Sequence, residues 1–571
     1  MSFMDTTSKI ALSTLLLASI ASGAQAQSTG PVLDEIIVTA QKRAESIMDV
    51  PVSVSAVSGA KIEALGIQRG EDLSALIPNF SIQTDPIGDK INIRGIQSGN
   101  NAGLEQSVST FVDGVYRGRG MQSRLAFLDV GRVEVLRGPQ GTLFGKNTIG
   151  GAINIVSAQP TDEFEGSVTG AYTFDGINEY TVKGFLSGPL SDTVRGRVAG
   201  QYRDITKGYI DNIYYNESSP QINEFGMRGT LEWDASPDTL VTARLEYGEF
   251  DRQGQNFSMI ENGPLAAFGI AEGLYREANI GAIDPVLDIG SSGTHVGDIL
   301  ESSLTVSHAV GDAEITAIAS YSAYDFQREC DCDFSALDLI RFDDSEDFEQ
   351  FTFEARYASD SSQKFNYIGG AYFLYNTLLA QGDTYFNVRS TPGLGDLAID
   401  TVLAGGCAAA GGDPNNRSCI LSGLVTAFDG TPLAYTDFNR LHELDQEDTV
   451  FAVSAQATYD LSDTFSATGG LRFTTEKKTA TQSAVANDFG TRNANNIVGN
   501  SALYAANSAP GFEPFSTLAE GAVHSNDLSR KENSVTWSAN LEWEPVSGRM
   551  FYASAGTGFK AGGFNSFAIG P

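Results

Sequence analysis

The segment Gly141 to Thr148, GTLFGKNT, sets a lysine behind a glycine and invites comparison with a phosphate-cradling loop. It fails that comparison. Gln140 stands where the first glycine of G-x-x-x-x-G-K-[ST] belongs, and Asn147 replaces the hydroxyl residue that would reach a magnesium ion. Its glycines suit close packing of backbone against a neighbouring surface. Cys330 and Cys332, in CDCD, bring thiols and carboxylates near one another as a metal site would. In an exported chain a disulfide is the commoner fate of such cysteines. Cys407 and Cys419 share one Gly/Ala/Asn-rich stretch and are expected to staple it. No grouping of nucleophile, base and acid stands out, and nothing calls for a resident metal or cofactor.

Export itself is legible at the N-terminus. Lys9 precedes an apolar run from Ile10 to Ile20, and small residues end in Ala24-Gln25-Ala26. That is the order of a signal peptide (1–26), cleaved to leave Gln27 first. The run is too short to span a bilayer as a helix, and no later stretch reaches the length that would. Lys and Arg total 37 against 71 Asp and Glu, a formal net charge of -34, which excludes a nucleic-acid partner held through a basic face. In an outer-membrane setting such acidity suits external loops that bridge to anionic lipopolysaccharide through divalent cations.

After residue 160 the pattern alternates with period two. Val453, Ala455, Ala457 and Tyr459 interleave with Ser454, Gln456 and Thr458. Val535, Trp537, Ala539, Leu541 and Trp543 interleave with Thr536, Ser538, Asn540 and Glu542, and Phe351, Phe353, Ala355 and Tyr357 with Thr352, Glu354 and Arg356. Roughly thirteen segments of about ten residues read as strands of the length a tilted membrane strand needs. Short polar links (Pro189–Asp192, Ala235–Asp238, Gly311–Asp312, Asp360–Gln363, Leu461–Asp463, Pro545–Gly548) alternate with long excursions such as Asp251–Asp298 and Thr377–Glu447. Strict alternation of short and long connections is the habit of outer-membrane barrels. The expectation is an all-β transmembrane barrel over 161–571.

Ahead of the barrel, VEVLRGPQGTLFGKNTIGGAINIVS (Val133–Ser157) resembles the closing segment of the plug domain of TonB-dependent outer-membrane receptors. PVSVSAVSG (Pro51–Gly59), LIPNFSI (Leu76–Ile82), INIRGI (Ile91–Ile96) and VSTFVDGVYRG (Val108–Gly118) resemble earlier plug segments in the same order. DEIIVTA (Asp34, Glu35, Ile36, Ile37, Val38, Thr39, Ala40) resembles the box such receptors offer to TonB. A short β-prone run can join the exposed edge of a partner's sheet. The resemblance implies a box and linker over 27–50 and a mixed α/β plug over 51–160 inside the lumen. It also implies a barrel of about 22 antiparallel strands, so that a chain with roughly thirteen reads as C-terminally truncated.

The resemblance assigns roles as well. Arg94, Glu134 and Arg137 match positions that lock plug to barrel wall. Loops at the plug's outer apex correspond to Thr84–Asp89, Gln97–Gln106 and Tyr116–Arg119. Among these, Gln97, Asn100 and Asn101 would hydrogen-bond an oxygen-rich chelate, Tyr116 would stack on it, and Arg117 and Arg119 would pair with its charge. The implied activity is import, not catalysis. A monomer in outer-membrane lipid and lipopolysaccharide engages TonB and moves a ferric siderophore, iron entering as a chelate and not as a cofactor. An oligosaccharide, cobalamin or an aromatic compound is the alternative cargo. Haem is disfavoured, since the four histidines (His295, His308, His442, His524) lack a FRAP or NPNL motif beside them. A porin or a phage-receptor adhesin would need neither plug nor box.

Overall fold

The computed structural model describes residues 36–254, 293–331, 340–386, 438–488 and 523–566, apart from interruptions at 68, 86–87, 100, 124–126, 175, 214–215 and 547, and the pair 286–287 by itself. The expected signal peptide, Asp34, Glu35, Asn100, Cys332, Cys407 and Cys419 lie outside the described residues. Cys330 is disulfide-bonded.

Thirteen strands join in chain order into one antiparallel sheet. The first seven are Glu165–Thr173, Asn178–Ser191, Val194–Lys207, Gln221–Ser236, Thr239–Gln253, Thr294–Val310 and Ala313–Asp331. The other six are Ile340–Ala358, Phe365–Phe386, Phe438–Ser462, Phe465–Asp488, Val523–Val546 and Arg549–Gly556. The six short polar links fall at hairpin turns, where Gly311 and Gly548 take φ of 63 and 79 that a side chain would resist. Among the described residues, Glu165–Thr173 and Arg549–Gly556 pair on one side only.

All but the first and last of the thirteen strands run longer than the expected ten residues. Phe438–Ser462 has 25, about 80 Å of chain at about 3.3 Å per residue, against a hydrocarbon thickness of about 30 Å. Its first half, RLHELDQED (Arg440–Asp448), carries polar residues on both faces, so alternation gave no sign of it. The register nonetheless continues without a break, from Phe386 opposite Phe438 to Phe365 opposite Tyr459.

Alternation sorts the two faces as expected. Phe351, Phe353, Val453, Tyr459, Val535, Trp537, Leu541 and Trp543 point outward with no protein over them. Val450, Ala452, Asp448 and Gln350 point inward and are buried. A soluble sandwich would put the apolar face inside; this sheet presents it outward, as lipid requires. No helix among the described residues is long and apolar enough to cross a membrane, which says nothing of strands.

The inner face surrounds a small mixed domain. Its five-stranded sheet runs in the order Val54–Ser58, Val130–Arg137, Gly151–Ser157, Val108–Val112, Val115–Arg117. All neighbours are antiparallel except Val108–Val112 with Gly151–Ser157. An α-helix, Gly59–Ala64, starts where the Ser58 side chain accepts from the Lys61 N–H. Val133, Val135, Ile153, Ile155 and Val112 form its core on one sheet face. The opposite face, with Leu136, Ala152, Phe111 and Tyr116, forms a second core that reaches Leu374 and Val450 of the wall. The Asp113-Gly114 turn, φ 49 and 83, is the two-residue hairpin its sequence announces.

Candidate functional site

The described part of the expected box, Ile36–Ala40, is docked, not loose. Ile37–Val38 pairs antiparallel with Glu45–Ser46, Val38 and Ala40 bury into the second plug core, and Ile36 and Ile37 stay exposed. Glu134, fully buried on the inner plug strand Val130–Arg137, accepts from the Thr39 N–H at 2.9 Å, from Arg132 Nε at 2.7 Å and from Asn154 Nδ2 at 3.0 Å. Just beyond the box the chain grips the wall. Lys42 Nζ lies 2.7 Å from both Glu354 oxygens, and Arg43 donates to the Tyr367 carbonyl at 2.6 Å. Burial lowers the Lys42 pKa, with Glu354 pulling it back up.

Three ionic clusters hold the plug higher in the lumen. In the first, Arg117 contacts Glu301, beside Arg228–Glu246 at 2.8 Å and Arg244–Glu301 at 3.3 Å. Asp113 joins through Arg244 at 3.0 Å while also accepting from the Ser157 N–H and hydroxyl. The second is a two-point pair, Arg197 Nε and Nη2 on Asp129 at 2.6 and 2.7 Å. The third is buried throughout. Lys146 Nζ sits 2.7 Å from Asp448, 2.9 Å from Glu476 and 2.9 Å from Glu105. Lys478 stands 3.3 to 3.7 Å from the same three carboxylates.

Three carboxylates within ligating distance of one another have the makings of a cation site. Here the Lys146 ammonium already lies in contact with all three, so protein supplies the cation. Burial alone would raise Glu105 and lower Lys146. The two lysines outweigh burial and hold the Glu105 carboxyl well below the usual carboxylate range. Asp448, Glu105 and Glu476 likewise hold Lys146 well above its ordinary value. Burial, with Glu105 next, raises the Tyr116 phenol.

These contacts correct several sequence expectations. Tyr116, Arg117 and Arg119 do not face an incoming ligand; each is buried between plug and wall. Tyr116 hydroxyl accepts from Asn147 Nδ2 at 2.9 Å, Arg117 donates to the Gln122 carbonyl at 2.9 Å, and Arg119 donates to the Ala102 carbonyl at 2.6 Å. Arg119 also lies over the Phe348 ring. A strand of three residues, Val115–Arg117, cannot announce which face the wall will cover. Nor do Arg94, Glu134 and Arg137 reach the wall among the described residues. Arg94 meets Ser53, Arg137 meets the Pro78 carbonyl, and Glu134 holds the box. The wall is met instead by Lys42, Arg43, Glu105, Asp113, Arg117, Asp129 and Lys146. One signal for them was available: Arg244, Glu246, Glu301, Asp448, Glu476 and Lys478 occupy the polar phase of strands, where a lumen full of protein demands partners. Of the apex residues, Gln97 is exposed, and Asn101 is bonded to Asn565 and Ser566.

A family profile described as TonB-dependent Receptor Plug Domain matches residues 46–152. The ferripyoverdine receptor of Pseudomonas aeruginosa is 29% identical over 255 residues, 44% of this chain and 30% of that protein. The pesticin receptor of Yersinia pestis is 34% identical over 186 residues, 32% of this chain and 27% of that protein. The chain thus spans less than a third of the length of these curated relatives. Among solved structures, the ferric yersiniabactin uptake receptor of Yersinia pestis shares the fold at a TM-score of 0.60 and 16% identity, covering 87% of this chain and 63% of that one. The siderophore receptor PiuA of Acinetobacter baumannii shares it at 0.57 and 17% identity, covering 89% and 65%. Residues 46–152 thus match a TonB-dependent receptor plug domain in sequence, and the barrel sheet around them shares its fold with these solved receptors.

Proposed function

We propose that this chain is the plug and part of the barrel of a receptor that imports a ferric siderophore across the bacterial outer membrane, driven by TonB. One observation carries the reading. The expected box residue Thr39 is tied to Glu134 on an inner strand of the plug sheet, and that plug is held in the lumen by buried ionic clusters. A pull on Asp34–Ala40 therefore reaches the middle of the stopper and not a loose tail. Such a device moves a solute and makes or breaks no covalent bond. Among curated relatives, the ferripyoverdine receptor and the ferric enterobactin receptor PirA of Pseudomonas aeruginosa carry iron chelates in their names, which favours the same class of cargo here. Gln97 remains the exposed polar contact at the plug apex. The outward apolar belt would sit in outer-membrane lipid and lipopolysaccharide, with one chain per barrel.

The test is uptake of radiolabelled ferric siderophores in cells carrying the full-length gene, with and without TonB. TonB-dependent accumulation of iron supports both machine and cargo. TonB-dependent growth on a sugar, cobalamin or an aromatic compound without iron uptake keeps the machine and replaces the cargo. Uptake that ignores TonB sinks the proposal, leaving a pore or an adhesin.

A further inference from the structure

Beyond the last described wall strand, which ends at Gly556, the chain leaves the sheet. Residues Thr557 to Ser566 turn into the lumen and lie across the top of the plug. Glycines permit the approach: a Cβ on Gly563 would strike the Gly103 backbone, and one on Gly103 would strike the Phe564 carbonyl. Hydrogen bonds fix it along its length, the wall contributing Gln482, which donates to the Asn565 carbonyl, and Glu532, which accepts from the Gly562 N–H at 3.3 Å. Asn147 donates its N–H to the Phe559 carbonyl at 2.9 Å and accepts at Oδ1 from the Ala561 N–H at 2.8 Å. Lys478 donates to the Gly562 carbonyl at 2.8 Å. Asn101 donates its amide to Asn565, and its Oδ1 accepts from the Ser566 N–H at 3.1 Å, the Ser566 hydroxyl at 3.2 Å and the Gly103 N–H at 2.9 Å.

We infer that Thr557–Ser566 is a strap that holds the plug apex closed and that cargo displaces from Asn101. This rests on the reading that the Gln97–Gln106 loop meets the cargo. With three donors on it, Asn101 Oδ1 has no capacity left for a ligand. A chelate that bonds there and the docked strap exclude one another, so binding shifts the strap toward release.

Release reaches the lock between plug and wall. Two of the strap's anchors, Asn147 and Lys478, are also members of the buried cluster. Asn147 Nδ2 bonds Glu105 at 2.8 Å and Tyr116 at 2.9 Å, and Lys478 faces Glu105 at 3.3 Å. When the strap lifts, Lys478 loses its carbonyl acceptor and Asn147 loses both of its backbone partners. The cage around Lys146 then loses the contacts that keep its members in place.

The test uses Gly563→Val in the full-length receptor, purified in detergent and followed by native-state hydrogen exchange. A valine does not fit against Gly103, so the strap must lift. Exchange in Gln97–Gln106 and Gly141–Thr148 should accelerate roughly tenfold, the factor that losing one or two net hydrogen bonds implies. Retained protection in Val130–Arg137 reports an intact plug. Unchanged exchange in both segments overturns the strap. If Val130–Arg137 also loses protection, the Asn565→Ala/Ser566→Ala pair, which removes the clamp without adding bulk, must give the same acceleration or the inference falls. Affinity is read separately, by fluorescence quenching with ferric pyoverdine and ferric yersiniabactin. Either probe that the wild type binds should bind Gly563→Val several-fold tighter, and equal affinity refutes the competition at Asn101. If the wild type binds neither, the cargo reading is what fails, and the exchange result still decides the strap.

Discussion

Lys146→Met probes the hold of the plug on its wall. Methionine keeps most of the stem and removes the ammonium. Two ammonium groups facing three carboxylates become one facing three, all of them buried. Each contact near 2.8 Å is worth about 6 kcal/mol gross at an effective dielectric of about 20. Desolvating the ammonium takes back several, and breaking a buried pair by removing one partner costs about 3–5 kcal/mol net. Native-state hydrogen exchange of Gly141–Thr148 measures this directly as the free energy of local opening. It should fall by about 3–5 kcal/mol, and cells should admit large hydrophilic antibiotics that the filled lumen excludes. The triple variant Lys146→Met/Asp448→Asn/Glu476→Gln leaves Lys478 facing Glu105 alone and should recover at least half of the loss. A single-variant loss below about 1 kcal/mol, the range of an exposed pair, would refute the claim that this cage holds the plug.

Other outcomes follow from the same contacts. Glu134→Ala strips the acceptor from the Thr39 N–H and from Arg132; at about 1.5–3 kcal/mol for a charged hydrogen bond, calorimetry should find the C-terminal domain of TonB binding roughly 10–100-fold tighter without cargo, and unchanged affinity would remove Glu134 from box docking. Ile37→Pro deletes a donor from the strand offered to TonB, so uptake should vanish while cargo binding stays, and wild-type uptake would refute the box. Arg117→Ala should loosen the plug by about 3–5 kcal/mol with cargo affinity within a few-fold; lost binding with unchanged plug exchange would return Arg117 to a ligand role. For pH, the depressed Glu105 contributes stability that is present above an unfolded value of about 4.3 and lost as pH falls through its lower folded value. The elevated Lys146 contributes stability present below about 10.4 and lost only as pH rises through its higher folded value. Burial pushes the Asp448 carboxyl of the same cage up to about 7, so the cost of opening Gly141–Thr148 should fall as pH rises from 5 through 7 and level off above it; an equal cost at pH 5 and pH 9 would show that Asp448 stays ionised in the folded cage.

Much of the architecture was legible because lipid and backbone impose simple rules. Period-two alternation found the outward faces, as at Val535 to Trp543, and polar links found the hairpin turns. The outer halves of the strands were illegible for the reason seen at Arg440–Asp448: above the lipid both faces may be polar, and pairing persists without a pattern to betray it. Site residues were harder still. Motif position located Glu134, Tyr116 and Arg117 correctly as members of the plug, but a partner is set by what lies across the lumen. Glu134 was expected at the wall and holds Thr39; Arg117 was expected at the ligand and holds Glu301. Lys146 was weighed only as a phosphate-loop lysine.

The choice of charge at this interface is itself informative. Replacing a buried ion cluster with well-packed apolar side chains is often neutral or stabilising, so stability alone does not account for Lys146 among Glu105, Asp448 and Glu476 or Arg117 against Glu301. Under the proposed import, moving the plug does. An apolar seal must expose its whole area to water as it parts, at about 25 cal/mol per Å², and gains nothing back until it reseals. Ionic contacts in a polar lumen are re-solvated one by one as water follows the retreating plug, and each released carboxylate recovers its hydration at once. The cost of opening is then spread along the path instead of standing at its start. A stopper tethered at Thr39, and pulled from one end, can be drawn through such a sequence of small steps.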